Sequence, residues 1–321
     1  MIMYVSAILG GLILLIWGAE RMVTGAGVTA RNLGVSPMLI GLTVVGFATS
    51  APEILVSATA ALDGVPNLAV GNALGSNIAN MGLIIGLTAL IWPLVVASDT
   101  LHREFPVMVL ITIVPIIVFW NGHLSRFDGV VLLLAFIAYF CWIVRLGMRT
   151  RGHDSIEAEY AAEIPTDMSM GRALLWVVIG LAVLAAGSIA LVWGSENVAL
   201  EFGVSNLVIG VTIVAVGTSL PELAVSVVAA RKGEYGLAFG NVLGSNGFNM
   251  LAVLGVAAVI GPIEVEPDVF SLHLPVLLGF TVAFFFMAYN RSGSIRVSRL
   301  SGGLLLAGFV GYYSYLGYQT F

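Results

Sequence analysis

Two short strings hold the residues of this 321-residue chain best suited to chemistry: Thr49-Ser50-Ala51-Pro52-Glu53 and Thr218-Ser219-Leu220-Pro221-Glu222, each within a strongly apolar stretch. A helical proline lacks the N–H that would bond the carbonyl four residues back, and its ring presses on that carbonyl. Pro52 therefore releases the Ala48 carbonyl and Pro221 that of Gly217. Thr49 and Glu53 are four apart and share a helix face, as do Thr218 and Glu222. A second pair of strings, Gly71–Met81 (GNALGSNIANM) and Gly240–Met250 (GNVLGSNGFNM), adds more oxygen, because Ser76 with Asn80 and Ser245 with Asn249 have the same spacing. Brought together, these carboxylates, amides, hydroxyls and carbonyls make an all-oxygen shell with two negative charges. Such a shell suits a hard cation: calcium takes about six to eight oxygens at about 2.3–2.6 Å, and sodium accepts similar donors. Neither pair of strings contains His or Cys, which argues against zinc or copper. One divalent ion would cancel both charges and much of the cost of burying them.

Each residue type also has a plainer role. Ser, Thr and Asn in membrane helices commonly join neighbouring helices, and a proline there is often only a kink. Carboxylates differ, because a charge at the bilayer centre costs at least about 2.5–3.5 kcal/mol on insertion scales and is functional by default. Glu53 and Glu222 therefore read as functional. Asn72, Asn77, Asn241 and Asn246 recur in both strings and stay open between packing and ligation. His102, His123, His153 and His273 fall near span ends without a shared pattern and read as interfacial.

The elements that must position these residues are membrane helices. The chain is 59% hydrophobic and 10% charged, with a mean hydropathy of +1.03, against roughly 45–50% apolar and 25% charged in soluble domains. Apolar runs of the length needed to cross a bilayer, about 20 residues, recur ten times: Ile2–Val23, Pro37–Leu62, Leu68–Trp92, Phe105–Asn121, Val130–Leu146, Leu174–Trp193, Leu207–Ala230, Leu237–Ile260, Leu272–Tyr289 and Leu300–Tyr318. The first has no basic region before it and reads as a span, not as a removed signal peptide. The single Cys141 excludes an intramolecular disulfide. Twelve of the thirteen Lys and Arg residues, from Arg21 and Arg31 to Arg296 and Arg299, fall on the side opposite the N-terminus, leaving only Arg126 on the other. By the positive-inside rule that basic side is cytoplasmic and both termini are outside.

The chain divides into related halves. Gly41–Ile91 lies over Gly210–Ile260 without a gap and matches 25 of 51 positions, which is a duplication. The expected organisation is a first five-helix repeat over 1–149 with its motif at 41–91, a polar cytoplasmic linker over 150–172, and a second five-helix repeat over 173–321 with its motif at 210–260. An odd number of spans per half inverts the second relative to the first. Inverted-topology repeats of this kind build many secondary transporters, with the site near the midplane on discontinuous helices. The fold class expected is thus an all-α membrane protein of ten transmembrane helices in two inverted repeats.

On these residues the chain resembles the sodium/calcium exchanger family of the calcium/cation antiporter superfamily, over essentially its whole length. "TSxPE" followed by "GNxxGSNxxN", twice, is specific to that resemblance. It implies that Glu53 and Glu222 are central calcium ligands, and that Thr49, Ser50, Thr218, Ser219, Ser76 and Ser245 with the carbonyls of Gly46 and Ala215 serve calcium and sodium positions. It also implies that the first and sixth helices slide across the core. Asn80 and Asn249 are both amides here, where the potassium-dependent branch places an Asp at the second position. Proton-coupled relatives set their Glu after Gly-Asn, which favours sodium as the counter-ion. The expectation is therefore a non-enzymatic antiporter without a cofactor, exchanging calcium for sodium, with the lipid bilayer as its surroundings and no nucleic-acid partner. Its expected location is the cell (inner) membrane as a multi-pass protein; nothing in the sequence sets an oligomeric state. Proton/calcium or manganese exchange is the rival within transport. An intramembrane hydrolase is disfavoured by the lack of a motif His and by the doubling of every part, and a channel by the proline-broken duplicated helices.

Overall fold

The structure, a computed structural model, describes residues 1–97, 99–118, 120–149, 168–202, 215–288 and 294–320. Most of the expected linker, the start of the seventh span (207–214) and Tyr289 lie outside the described residues. Ten apolar helical stretches follow one another: α1 (Ile2–Leu33), α2 (Pro37–Leu62), α3 (Asn67–Ile91), α4 (Asp99–Val118), α5 (Arg126–Arg149), α6 (Met170–Glu201), α7 (Ala215–Thr218 and Leu220–Arg231), α8 (Tyr235–Ile260), α9 (Val269–Met287) and α10 (Arg299–Thr320). Among the described residues seven of them, all except α4, α7 and α10, are long and apolar enough to cross a membrane.

Several helices overrun their expected ends. α1 and α6 have 32 residues each, about 48 Å at 1.5 Å per residue, against some 30 Å of hydrocarbon. Hydropathy locates the part in lipid, whereas a helix continues into water until something stops it. For α1 the stop is Gly34, whose φ of 64° turns the chain out of the helix while its N–H bonds the Arg31 carbonyl. Two short ribbons, which an all-helical reading does not anticipate, join the halves. β1 (Leu94–Ala97) pairs antiparallel with β4 (Ser294–Val297), and β2 (His123–Leu124) with β3 (Ile263–Glu264). The first ties the end of α3 to the start of α10, and the second ties the end of α8 to the start of α5. Each is the inverted counterpart of the other.

α8, α3 and α2 form the centre: 83%, 72% and 61% of their membrane windows are buried, against 22% for α1 and 28% for α6. α1 and α6 pack along each other antiparallel through glycines seven residues apart, Gly11, Gly18 and Gly25 on one and Gly180, Gly187 and Gly194 on the other. A Cβ on Gly11 would lie 2.7 Å from the Gly187 carbonyl oxygen, and one on Gly18 would lie 2.9 Å from that of Gly180. Lipid tails are as apolar as side chains, so close backbone approach through small residues is what drives such association. The glycines of the two helices are separated by the same 169 residues as Glu53 and Glu222 (180 − 11 = 169; 222 − 53 = 169), so the duplication reaches this pair. At the basic face α1 is fastened to α7: Arg231 pairs with Glu20, and the Lys232 ammonium donates to the Thr24 hydroxyl at 2.7 Å and the Glu20 carbonyl at 3.2 Å. Partial burial pushes the Lys232 pKa below the ordinary lysine value, with Glu20 opposing the shift.

The seam is testable with neighbouring residues. Gly11→Leu forces a side chain into the α6 backbone and is expected to cost about 1–3 kcal/mol, read as a lower thermal midpoint of the purified protein. Gly10→Leu, where a Cβ meets nothing within 4 Å, leaves the midpoint near the parent's. Equal midpoints for the two variants would remove the seam.

Candidate cation site

Both proline strings break their helices in the same way. α2 is interrupted at Ser50, with φ −84° and ψ 1°, and α7 at Ser219, with φ −87° and ψ 5°. In each case a new helical piece starts at the next residue with the proline in its first two positions, which puts Glu53 and Glu222 in the first turn. A carboxylate there faces the positive end of the helix dipole and its unpaired N–H groups. The carbonyl that Pro221 releases has found a donor: the Ser188 hydroxyl of α6 bonds Gly217 O at 2.7 Å.

Asn72 and Asn241 secure the broken helices. Asn72 donates to the Glu53 carbonyl at 3.2 Å and the Ser57 hydroxyl at 3.0 Å, while Asn241 donates to the Glu222 carbonyl at 3.1 Å and the Ser226 hydroxyl at 2.9 Å. Ser57 and Ser226 went unnoticed in the sequence, although they recur one helical turn beyond each Glu. The other two asparagines cross between the halves. Asn80 donates to Asn246 Oδ1 at 2.9 Å, Asn249 donates to Asn77 Oδ1 at 3.0 Å, and Asn77 donates to the Asn246 carbonyl at 3.3 Å. With their NH2 ends committed, Asn80 and Asn249 have their Oδ1 atoms left over. Both residues open π-helical turns, Asn80–Ile85 and Asn249–Val253, a local widening that recurs at functional sites. The four asparagines left open by the sequence thus hold and orient other groups.

The oxygens without partners show where this framework points. Eight buried atoms of the expected site residues have no hydrogen-bond partner: both carboxylate oxygens of Glu53, Oε2 of Glu222, the hydroxyls of Ser50, Ser76 and Ser219, and the Oδ1 atoms of Asn80 and Asn249. Among the described residues only Arg21 Nε, Asn67 Oδ1 and Thr88 Oγ1 share that condition. An orphaned buried polar atom costs about 1–3 kcal/mol, and more if charged. Eight in one set is a large local cost, and every one of them can accept from a donor or coordinate a cation. Glu53 and Glu222 are each 1% exposed and close enough to repel one another. A cation lodged with these oxygens would remove both the repulsion and the unmet bonding.

The remaining expected residues differ between the halves. Thr49 is fully buried and already engaged, with Asn241 Oδ1 and the Val45 carbonyl each at 3.1 Å and the Ser245 hydroxyl at 3.4 Å. Ser245 reaches the Gly46 carbonyl at 3.5 Å. Thr218 is half-buried at the end of its helical piece, which Ala215 opens.

Comparison with known proteins gives the family. The sodium/calcium exchanger protein family matches residues 3–145 and 172–318. The putative antiporter CaxA of Alkalimonas amylolytica is 46% identical over 95% of this chain and 96% of its own length. The inner membrane protein YrbG of Escherichia coli K12 is 40% identical over 97% of this chain and 95% of its own length. The structure of the sodium-calcium exchanger NCX_Mj soaked with zero Na+ and Ca2+ is similar, with a TM-score of 0.84 at 34% identity over 98% of this chain and 99% of that one. A multi-pass helical fold of two inverted halves, an acidic pair at their junction and a family match along nearly the whole chain lead to one assignment: this protein belongs to the sodium/calcium exchanger family and is a membrane antiporter.

Proposed function

We propose that the chain exchanges calcium for sodium by alternating access to one cation site, bounded by Glu53 and Glu222. The observation that carries this reading is the set of eight buried, unpartnered oxygens drawn from α2, α3, α7 and α8, with both carboxylates among them. Ser50, Ser219, Ser76, Asn80 and Asn249 complete the shell through those oxygens. Thr49, Thr218, Ser245 and the Gly46 and Ala215 carbonyls serve calcium and sodium positions of the same site. Calcium accepts an irregular all-oxygen shell of this kind. One calcium neutralises two carboxylates whereas several sodium ions overshoot, so exchange moves net charge.

The sliding element of this reading is the α1–α6 pair, which is far less buried than α2, α3 and α8 and packs chiefly on itself. The chain is read as two repeats, 1–149 and 173–321, joined by a cytoplasmic linker over 150–172, with both termini outside; the support is the one-sided distribution of Lys and Arg. Exchange driven by a proton gradient, for calcium or manganese, is the competing reading.

Three measurements test these statements. Vesicles loaded with sodium and containing the purified protein take up labelled calcium faster than sodium-free vesicles; equal uptake removes sodium coupling, and a requirement for a pH gradient transfers the assignment to the rival. Glu53→Gln and Glu222→Gln each nearly abolish that uptake while the protein still purifies folded, and parental transport by either variant would strike that residue from the site. Asn77→Ala and Asn246→Ala release the amides of Asn249 and Asn80, so the apparent KM for calcium rises roughly tenfold, the equivalent of one hydrogen bond near 1.4 kcal/mol. An unchanged KM in both would show that amide orientation has no bearing on the ion.

A further inference from the structure

The α1–α6 pair is built symmetrically and attached asymmetrically. α6 turns Gly187 toward α1, and the next residue, Ser188, is buried with its hydroxyl on the Gly217 carbonyl of α7 at 2.7 Å. That carbonyl is the one Pro221 leaves without an N–H four residues on. One turn along α6, Val192 lies so close to Gly217 that any side chain there would collide with it. The equivalent positions in the first half (188 − 169 = 19; 192 − 169 = 23) are Ala19 and Val23. The valine is repeated and the hydroxyl is not, so α1 has no donor there for the carbonyl of Ala48, the counterpart of Gly217.

The fastening at the basic face is one-sided as well. Glu20, Thr24, Arg231 and Lys232 link α1 to α7, while their equivalents Ile189, Trp193, Leu62 and Asp63 include a single charged residue and can form no ion pair. The Arg231–Glu20 pair is partly exposed on both sides, and such pairs contribute little. Ser188 is buried at the break itself.

We propose that Ser188 is a positioning residue of the transport cycle: it supplies the donor that the broken seventh helix lacks, holds α6 against α7, and so favours the arrangement that opens the cation site to one particular face of the membrane. This rests on the alternating-access reading above. The apparent affinity at each face is the intrinsic affinity reduced by the fraction of molecules open to that face. Losing the bond therefore worsens the apparent KM on the favoured face and improves it on the other. One buried hydrogen bond shifts such an equilibrium roughly three- to tenfold.

The test measures the apparent KM for calcium separately in right-side-out and inverted membrane vesicles carrying the full chain. Ser188→Ala is expected to move the two values in opposite directions, by up to roughly tenfold on the more sensitive face, while Ser188→Thr, which keeps the hydroxyl, stays near the parent. Ser188→Cys, with similar volume and a weaker donor, serves the same comparison if the alanine variant fails to fold. Parental KM values on both faces overturn the proposal, since Ser188 would then only fill space. So do values that rise together on both, which describe an ion ligand or general damage. A parent chain without sodium-driven calcium uptake would sink the antiport reading and this proposal with it, and that outcome is visible before any variant is compared.

Discussion

Two carboxylates held close together and away from water are the constraint to which the rest of this structure answers. A single charge in the bilayer interior costs several kcal/mol, and two like charges side by side cost more. Burial at 1% exposure for both Glu53 and Glu222 is stable only where the surroundings can supply positive charge or donors on demand. The helix breaks at Ser50 and Ser219 meet part of that demand by setting each Glu in the first turn of a new helical piece. The rest is left to whatever occupies the site, which gives the site a strong appetite for a cation.

Irregular backbone in a membrane must be paid back locally, because no water is present to satisfy freed groups. Several of the irregularities here have a named partner. The carbonyls of Glu53 and Glu222 receive Asn72 and Asn241, and the carbonyl of Gly217 receives Ser188. The π-helical turns begin at Asn80 and Asn249, whose amides cross to the opposite half. The polar groups thus fall into two sets, one that bonds within the protein and holds the frame, and one whose oxygens are left over. That separation is what the proposed cation site rests on, since a network satisfied throughout would be only a polar core.

Much of this was legible in the sequence because the signals are intrinsic to single residues. Proline has no N–H wherever it stands, so the breaks beside Pro52 and Pro221 could be placed without coordinates. A carboxylate in an apolar run is conspicuous, and a duplication that aligns without gaps carries the inverted architecture. What stayed hidden depends on partners far away in the chain. Asn77 and Asn80 look alike in sequence; one orients and the other is oriented, a difference made by Asn246 and Asn249, over 160 residues away (246 − 80 = 166). The seven-residue glycine period of α1 and α6 is present in the sequence but passes for general membrane composition until the antiparallel pairing gives it a purpose. The ends of α1 and α6 were misjudged because hydropathy reports where lipid ends, and a helix ends where a residue such as Gly34 stops it.

An inverted repeat has a consequence for energy as well as for shape. If the two halves were identical, exchanging their conformations would reproduce the same molecule upside down, and arrangements open to opposite faces would be equal in energy. Any preference must come from positions where the halves differ. The unpartnered oxygens barely differ: Glu, Ser and Asn recur at all of their positions, although Ser76 is free where its counterpart Ser245 is bonded. The differences lie in the attachments. Ser188 stands against Ala19 and the Glu20–Arg231 link against Ile189 and Leu62. On the alternating-access reading, chemistry that has to work from both sides is thus kept alike in both halves, and the proposed choice between sides falls to residues around it, where a change can alter the balance without altering the ion.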